Sequence, residues 1–159
     1  MLIITTGGTI DKVYFDATSQ YEVGEPTLEH IFREAGVNLE YRLISLMRKD
    51  SLEITATDRQ LIRDTISASD ESQILITHGT DTMSETAEFL RGIAGKTIVL
   101  TGAMAPARFR TTDAIFNVGC ALGAVQSKPE GVYLAMNGCI FTAGKVKKNL
   151  TAGRFETTE

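Results

Sequence analysis

Short apolar runs alternate with longer amphipathic segments along this chain, and that alternation constrains the fold more than any other feature of the sequence. Apolar runs of this kind suit strands covered on both faces of a parallel sheet, while the longer segments place apolar residues at helical spacing. The pattern predicts strands at 2–5, 40–46, 73–77, 97–101 and 131–136, with helices at 27–35, 57–69, 82–91 and 112–126. It therefore predicts a single α/β domain with a three-layer, doubly wound, mainly parallel sheet of the Rossmann or flavodoxin type.

Two local signals refine these boundaries. Asn137-Gly138 is a typical hairpin turn and predicts an antiparallel partner strand at 139–142. Thr57 followed by Gln60 has the spacing of a capping box and predicts the start of the second helix.

Composition excludes several classes of function. The net charge is −4 and the basic residues are interspersed with acids, so we expect no nucleic acid partner. No apolar run approaches the roughly 20 residues that span a bilayer, and the N-terminus carries no secretion signal, so we expect no membrane association and a cytoplasmic location. Cys120 and Cys139 show no metal-binding spacing and are predicted to be buried free thiols.

In doubly wound sheets ligands bind at the carboxyl ends of the strands, so the loops that follow the strands are the candidates for chemistry. The first strand runs into Thr6-Gly7-Gly8-Thr9-Ile10, where the glycines allow a tight turn and leave N–H groups uncovered beside a hydroxyl. A plain turn, or half of a phosphate-binding loop, would explain the same pattern. The segment lacks the third glycine of the dinucleotide fingerprint and the ending of a P-loop, which argues against a nucleotide.

The third predicted strand runs into Thr77-His78-Gly79-Thr80-Asp81-Thr82-Met83. Either Thr80 or Asp81 is expected to cap the following helix, but a cap does not explain both. His78 stands alone before Gly79, and we expect it to pack or to support its neighbours rather than to react.

These two segments resemble the signature motifs of the L-asparaginase/glutaminase family, the bacterial-type threonine amidohydrolases. Thr101-Gly102-Ala103-Met104, Asp113 and Phe116-Asn117 fit the same pattern in the same order. The resemblance covers essentially the whole chain but only the N-terminal domain of the family. We therefore expect residues 1–159 to form an asparaginase N-terminal-like domain without the family's smaller C-terminal domain. The resemblance also implies a homo-oligomer, since in the family the C-terminal domain of a neighbouring subunit contributes residues to each site.

The resemblance implies a role for each matching residue near the start of the chain. Thr9 corresponds to the nucleophilic threonine, and Gly8 lies where a backbone N–H would help to form an oxyanion hole. Tyr21 corresponds to the tyrosine on a mobile loop, here residues 11–24, that hydrogen-bonds the nucleophile, with Tyr14 as the alternative. Ser51 corresponds to the serine that contacts the substrate α-carboxylate.

The remaining matches lie later in the chain. Thr80 corresponds to the threonine near the scissile amide, and Asp81 to the aspartate that holds the substrate ammonium. Lys148 corresponds to the lysine that completes this Thr–Asp–Lys set, although Lys145 and Lys147 are close enough for a register error. A desolvated lysine can accept a proton from a hydroxyl, which would activate the nucleophile.

The resemblance thus implies an L-asparagine amidohydrolase that forms L-aspartate and ammonia through a threonine acyl-enzyme, with no metal and no cofactor. Without the C-terminal domain, two alternatives stay open. The chain is either a non-catalytic or weakly active module that binds aspartate or asparagine for regulation, or a site that acts on another amide or is completed by a separate chain.

Overall fold

The structure is a computed structural model that describes residues 1–15 and 19–158, and these ranges contain ten strands and four α-helices. The strands are β1 (Leu2–Gly7), β2 (Lys12–Phe15), β3 (Gln20–Val23), β4 (Arg42–Lys49), β5 (Gln73–Thr77), β6 (Thr97–Thr101), β7 (Gly131–Met136), β8 (Cys139–Thr142), β9 (Val146–Asn149) and β10 (Arg154–Thr157). The helices are α1 (Leu28–Glu34), α2 (Ala56–Ser67), α3 (Met83–Phe89) and α4 (Ala114–Ser127). Short 3-10 turns at Thr9–Asp11 and Ser51–Glu53 come soon after β1 and β4.

Six strands form the central sheet, in the order β4-β1-β5-β6-β7-β8. The first five are parallel, and β8 returns antiparallel to β7 at the edge. The chain starts at β1, crosses to β4 on one side and then returns to β5 on the other, so the winding reverses between β1 and β5. Such a reversal opens a crevice outside the carboxyl ends of the two strands, which is where ligands bind in this architecture.

The two faces of the sheet are covered by different helices, because successive side chains of a strand point to opposite faces. Ile4 of β1 belongs to the buried cluster that contains Ile62 of α2 and Met83 of α3. Ile3 belongs to the cluster that contains Val118 of α4 together with the apolar face of α1. The molecule therefore has three layers, and the predicted three-layer, doubly wound α/β fold is confirmed.

The hairpin turn is also confirmed, since Asn137 and Gly138 both have positive φ, at 54° and 76°. The predicted capping box is wrong by two residues. The hydroxyl of Thr55 accepts from the Asp58 N–H at 3.2 Å, and the Asp58 carboxylate accepts from the Thr55 N–H at 2.8 Å. Asp58 also accepts from Lys49 at the end of β4, so its carboxylate is held at this helix start by two elements.

Other sequence predictions fail at the edges of the molecule. Cys139 is exposed rather than buried, because it opens the edge strand β8 directly after the turn, and Cys120 is only partly buried. Residues 11–24, expected to be a loop, contain the antiparallel hairpin β2–β3, while residues 16–18 of that segment lie outside the described ranges. Residues 144–150 contain β9, which pairs with β10. No helix in the part of the chain that the structure describes is long and apolar enough to cross a membrane.

Candidate functional site

The crevice at the end of β1 and β5 is built by glycines that let two backbones meet. Gly8 has a φ of +89°, which L side chains rarely adopt, and a Cβ placed on it would collide with the Cα of Gly79. The Gly8 N–H donates to the carbonyl of Lys49 at 2.9 Å, which fixes the turn against β4. Because Gly8 and Gly79 are in contact, the chain continues into Thr9 and Thr80 from neighbouring positions at the ends of β1 and β5.

Ser51 closes the crevice from the third side. A Cβ on Gly79 would stand 2.5 Å from the Cβ of Ser51, so the 3-10 turn Ser51–Glu53 packs directly on this glycine. The Asp81 N–H donates to the Ser51 hydroxyl oxygen at 3.2 Å, and the Thr82 hydroxyl donates to the Ser51 carbonyl at 2.7 Å. Thr82, not Thr80 or Asp81, occupies the N-cap position of α3, so the expectation that one of those two caps the helix is wrong.

Lys148 reaches this group from the far end of the chain. Its ammonium donates to the hydroxyl of Thr80 at 2.7 Å and to the carboxylate of Asp81 at 2.6 Å. The Lys148 side chain is 14% exposed, whereas Asp81 is 38% exposed and so remains open to the crevice. Of the three neighbouring lysines, the structure brings Lys148 to Thr80 and Asp81.

The alternation of β9 explains why this lysine faces the site. Val146 is buried in the core cluster, and the side chain two residues later points the same way, while Lys147 points to solvent. The hairpin is held in place by Phe155 of β10, which packs against Phe141 and donates its N–H to the Asn137 side chain at 3.0 Å.

Thr9 and Tyr21 stand apart from this hydrogen-bonded group. Thr9 is partly buried at the start of its 3-10 turn. Tyr21 lies on β3 with about half of its side chain exposed, and its ring packs against Tyr14 at 5.5 Å and Phe109 at 5.8 Å between centroids. Within the described ranges no hydrogen bond joins Tyr21 to Thr9, so the geometry does not decide between Tyr21 and Tyr14.

His78 anchors the backbone beside Thr80. Its Nδ1 donates to the carbonyl of Gly79 at 2.7 Å, and its Nε2 accepts from the Thr86 hydroxyl at 2.9 Å. Thr86 in turn accepts from Arg59 Nε at 3.1 Å. The hydrogen bonds from Arg59 through Thr86 and His78 to Gly79 therefore all run in one direction, which selects one tautomer of the imidazole. Burial lowers the pKa of His78 to about 4, with a smaller effect of the Arg59 charge, so the ring is neutral at physiological pH.

Asp11 fixes the turn that carries Thr9, a role that the sequence analysis missed. The Asp11 carboxylate accepts from the Thr27 N–H at 2.8 Å and from the Thr27 hydroxyl at 2.9 Å, and its backbone carbonyl accepts from Gly24. These bonds close the base of the β2–β3 hairpin. Burial raises the pKa of Asp11 despite the hydrogen bonds from Thr27 and the charges of Arg108 and Arg48. An acid two residues after the candidate nucleophile was the only signal in the sequence.

Asp113 and Asn117 fix the loop after β6. The Asp113 carboxylate accepts from the N–H groups of Met104 and Ala105 at 2.9 to 3.1 Å. The buried Asn117 amide donates to the carbonyl of Gly102 at 3.0 Å and to Asp113 at 2.8 Å. The motif residues in this helix thus hold a loop rather than face the crevice.

The described residues therefore assemble a hydroxyl, a carboxylate and an ammonium at the switch point of the sheet, beside a second hydroxyl on a glycine turn. This set can bind the ammonium and carboxylate groups of an amino acid and can move a proton between oxygen and nitrogen. Among the described residues no group of three or more His, Cys, Asp and Glu side chains is arranged to hold a metal ion.

Comparison with known proteins gives a consistent result. The family model for the N-terminal asparaginase domain matches residues 1–157. The glutaminase-asparaginase of Acinetobacter glutaminasificans is 29% identical over 164 residues, and the match covers 94% of this chain and 50% of that protein. The L-asparaginase of Thermococcus kodakarensis is 33% identical over 158 residues, which cover 93% of this chain and 47% of that protein.

Structural comparison agrees. The solved structure of the thermostable L-asparaginase from Thermococcus kodakarensis superposes with a TM-score of 0.80 at 25% identity, covering 98% of this chain and 50% of that one. The chain spans about half the length of the relatives it matches.

Proposed function

The chain belongs to the family of the N-terminal asparaginase domain, and we propose that it is an amidohydrolase that converts L-asparagine to L-aspartate and ammonia. The single observation that carries this proposal is the contact of Lys148 with both Thr80 and Asp81 in the crevice that Gly8 and Gly79 form. We propose that residues 1–159 act as one asparaginase N-terminal-like domain.

In this mechanism the Thr9 hydroxyl oxygen attacks the side-chain amide carbon of L-asparagine. The proton of that hydroxyl passes through Thr80 to a neutral Lys148, which then protonates the leaving nitrogen as the carbon–nitrogen bond breaks. Ammonia leaves, and a water molecule hydrolyses the resulting ester to release L-aspartate and restore Thr9. Tyr21 on the hairpin would hydrogen-bond the Thr9 hydroxyl when the hairpin closes.

The substrate would be held by its charged ends. The Ser51 oxygen already accepts from the Asp81 N–H, so its own hydrogen remains to donate to an α-carboxylate. The half-exposed Asp81 carboxylate is positioned for the α-ammonium. The Gly8 N–H expected in the oxyanion hole already donates to the Lys49 carbonyl, so the N–H groups that follow it and those near Thr80 would stabilise the oxyanion, each contributing about 3 kcal/mol in comparable sites. Neither the attack by Thr9 nor the hydrolysis of the ester draws on a metal or a cofactor.

The proposal is tested by ammonia release from L-asparagine with the purified chain. Thr9→Ala should lower the rate by a factor of about 1,000 or more, whereas Thr9→Ser keeps a hydroxyl and should retain much more activity. Lys148→Met, which keeps the length of the side chain and removes the amine, should lower the rate without abolishing L-aspartate binding. Equal rates for the wild type and Thr9→Ala would contradict the proposed nucleophile.

A second function, binding of L-aspartate or L-asparagine without turnover, is favoured by one observation. The ion pair between Lys148 and Asp81 occupies both groups before any ligand arrives, and a charged lysine cannot accept a proton. Saturable binding of L-aspartate without ammonia release, unchanged in Thr9→Ala, would assign this regulatory role instead.

Assembly and location are proposed along with the activity. We propose a homo-oligomer, because several large apolar side chains, among them Phe116 and Leu52, are exposed. Light scattering at micromolar concentration should give a mass above that of one chain, and the monomer mass would contradict the proposal. Cell fractionation should find the protein in the cytoplasm.

A further inference from the structure

Among the described residues, three guanidinium groups of this acidic chain form neither a salt bridge nor a hydrogen bond to a backbone carbonyl. Five arginines form salt bridges with carboxylates within 4 Å, namely Arg42, Arg48, Arg59, Arg91 and Arg154. Arg63 donates instead to the backbone carbonyls of Phe89 and Arg91. For Arg33, Arg108 and Arg110, no carboxylate among the described residues lies within salt-bridge distance.

These three arginines line two cavities that adjoin, where Arg33 also donates to Nδ1 of His30 at 3.2 Å. A cavity of about 390 Å³ between α1 and the loop after β6 is lined by Pro26, Thr27, His30, Arg33 and Arg108. An adjoining cavity of about 250 Å³ shares three of these residues and adds Arg110. Together the two cavities form one groove, which we call the arginine groove.

Few negative charges oppose this cluster. Glu34 lines the smaller cavity together with Arg108 and Arg110 and lies 3.3 Å from His30, but it does not line the larger cavity. Asp11 lies below Thr27 and acts on Arg108 electrostatically, but it is only 2% exposed and its carboxylate accepts two hydrogen bonds from Thr27. The larger cavity thus brings Arg33 and Arg108 together with no carboxylate among its described lining residues, on a chain whose net charge is −4.

We propose that the arginine groove binds a small dianion, such as a phosphate or a short dicarboxylate, through Arg33 and Arg108. Guanidinium groups present planar pairs of N–H donors that match both kinds of anion, and charge-assisted bonds of this type are the strong ones. The rim residue Arg110 adds donors, while His30 accepts from Arg33 through Nδ1 and faces Glu34 through Nε2. The larger cavity is near the lower end of the size range for small-ligand sites, which suits a compact anion.

The groove adjoins the proposed active site without being part of it. Phe109, between the two loop arginines, packs on Tyr21, and Thr27 holds Asp11 behind Thr9. The binding itself requires none of Thr9, Thr80, Asp81 or Lys148. The inference therefore stands whether or not the chain hydrolyses L-asparagine.

Isothermal titration of the full chain at low ionic strength, in a buffer free of phosphate, tests the proposal with inorganic phosphate and with succinate. We expect one saturable site for at least one of these anions, and Arg33→Gln and Arg108→Gln should each weaken it about tenfold. Arg91→Gln is the matched control, because it removes an exposed arginine that follows α3 on the opposite face of the sheet. It should leave the affinity unchanged.

Each result of the titration has a different consequence for the proposal. A site for phosphate alone assigns the groove to phosphorylated ligands, and a site for succinate alone assigns it to dicarboxylates. The proposal is overturned if neither anion saturates a site. It is also overturned if neither Arg33→Gln nor Arg108→Gln weakens binding, since succinate would then occupy another site. A loss of affinity in Arg91→Gln as large as in those two variants would overturn it too.

Discussion

His78 is a buried ionisable residue whose charge state is controlled by the fold. Burial holds its pKa at about 4, below the ordinary value of 6.5, so the folded protein binds fewer protons than the unfolded chain between these pH values. Stability from the neutral ring is therefore fully present above pH 6.5 and is lost as the pH falls toward 4, by up to about 3 kcal/mol. Protonation would also turn Nε2 from an acceptor into a donor and break the hydrogen bond that Thr86 donates to it.

We predict that His78→Asn reduces the acid sensitivity of the fold, although it lowers stability at pH 7. Asparagine retains a donor for the Gly79 carbonyl and loses the bond from Thr86. Urea unfolding at pH 7 and pH 4.5 should show a smaller loss of unfolding free energy on acidification than in the wild type. His30→Gln, the chain's other and exposed histidine, should follow the wild type. Equal pH dependence in all three proteins would refute the assignment.

Asp11 shows the opposite sign of pH dependence. Burial raises its folded-state pKa, so the contribution of this carboxyl to stability is fully present below the unfolded value and is lost as the pH rises through the folded value. When Asp11 is ionised, the two bonds from Thr27 offset part of the free-energy cost of burying its charge.

We therefore predict different results for two substitutions of Asp11. Asp11→Asn keeps an oxygen acceptor for Thr27 and removes the charge, so its unfolding free energy at pH 7 should be close to that of the wild type. Asp11→Ala leaves the buried Thr27 N–H without an acceptor, although the Thr27 hydroxyl keeps the Ile10 carbonyl at 3.2 Å, and should cost about 2 kcal/mol. Chemical denaturation at pH 7 measures both, and an equal loss in the two variants would show that attraction to Arg48 and Arg108 dominates.

At the scale of elements, the β5–α3 junction packs directly against the turn after β4, because Gly79 has no side chain to keep them apart. The φ of Gly79 is not in the left-handed range, so alanine there meets a steric obstacle, Ser51, and no backbone strain. We predict that Gly79→Ala separates Ser51 from the Asp81 N–H and costs about 1 to 3 kcal/mol.

Gly119 offers the matched control for this substitution. It lies within α4, a Cβ there meets no atom within 4 Å, and Gly119→Ala should stabilise the helix by up to about 1 kcal/mol. Thermal unfolding of the two alanine variants should give shifts of opposite sign. A Gly79→Ala protein as stable as the wild type, with unchanged ligand affinity, would mean that the turn moves aside freely.

Elements with a buried apolar face could be predicted from the sequence, and those without one could not. The strands β5, β6 and β7 begin and end where their apolar runs do, because both faces of each are covered. Each strand of the hairpins β2–β3 and β9–β10 has only four residues, which is too short for a pattern of apolar residues to mark it. The capping box was misplaced because Thr55 and Thr57 look alike locally, and only the tertiary contact of Asp58 with Lys49 distinguishes them.

The candidate site, like the fold, was predictable only in part. Glycine turns and clustered hydroxyls identified the loops that carry Thr9 and Thr80, and the resemblance pointed to Lys148. The residues that hold those loops were not recognised, since Asp11 and Thr86 act through hydrogen bonds between segments separated in sequence. Such partners depend on the packing of the layers, which a pattern along one chain does not specify.

At the scale of the whole molecule, the proposed ligand site joins segments from residue 8 to residue 148, so a ligand that bridges them should stabilise the entire fold. A ligand at 100 times its dissociation constant raises the unfolding free energy by about 2.7 kcal/mol, which corresponds to roughly 5 to 10 °C in Tm for a chain of this size. We predict such a rise for the wild type with L-aspartate, measured by calorimetry.

The same shift distinguishes a specific clamp from a general effect of an added anion. Asp81→Asn removes the charge proposed to hold the ligand ammonium, and Ser51→Ala removes the donor to its carboxylate, so both should lose most of the shift. Asp70→Asn, an exposed aspartate before the amino end of β5, removes the same charge at the opposite edge of the sheet and should keep the full shift. If Asp81→Asn and Asp70→Asn respond alike, L-aspartate stabilises the protein from somewhere other than the crevice between β1 and β5.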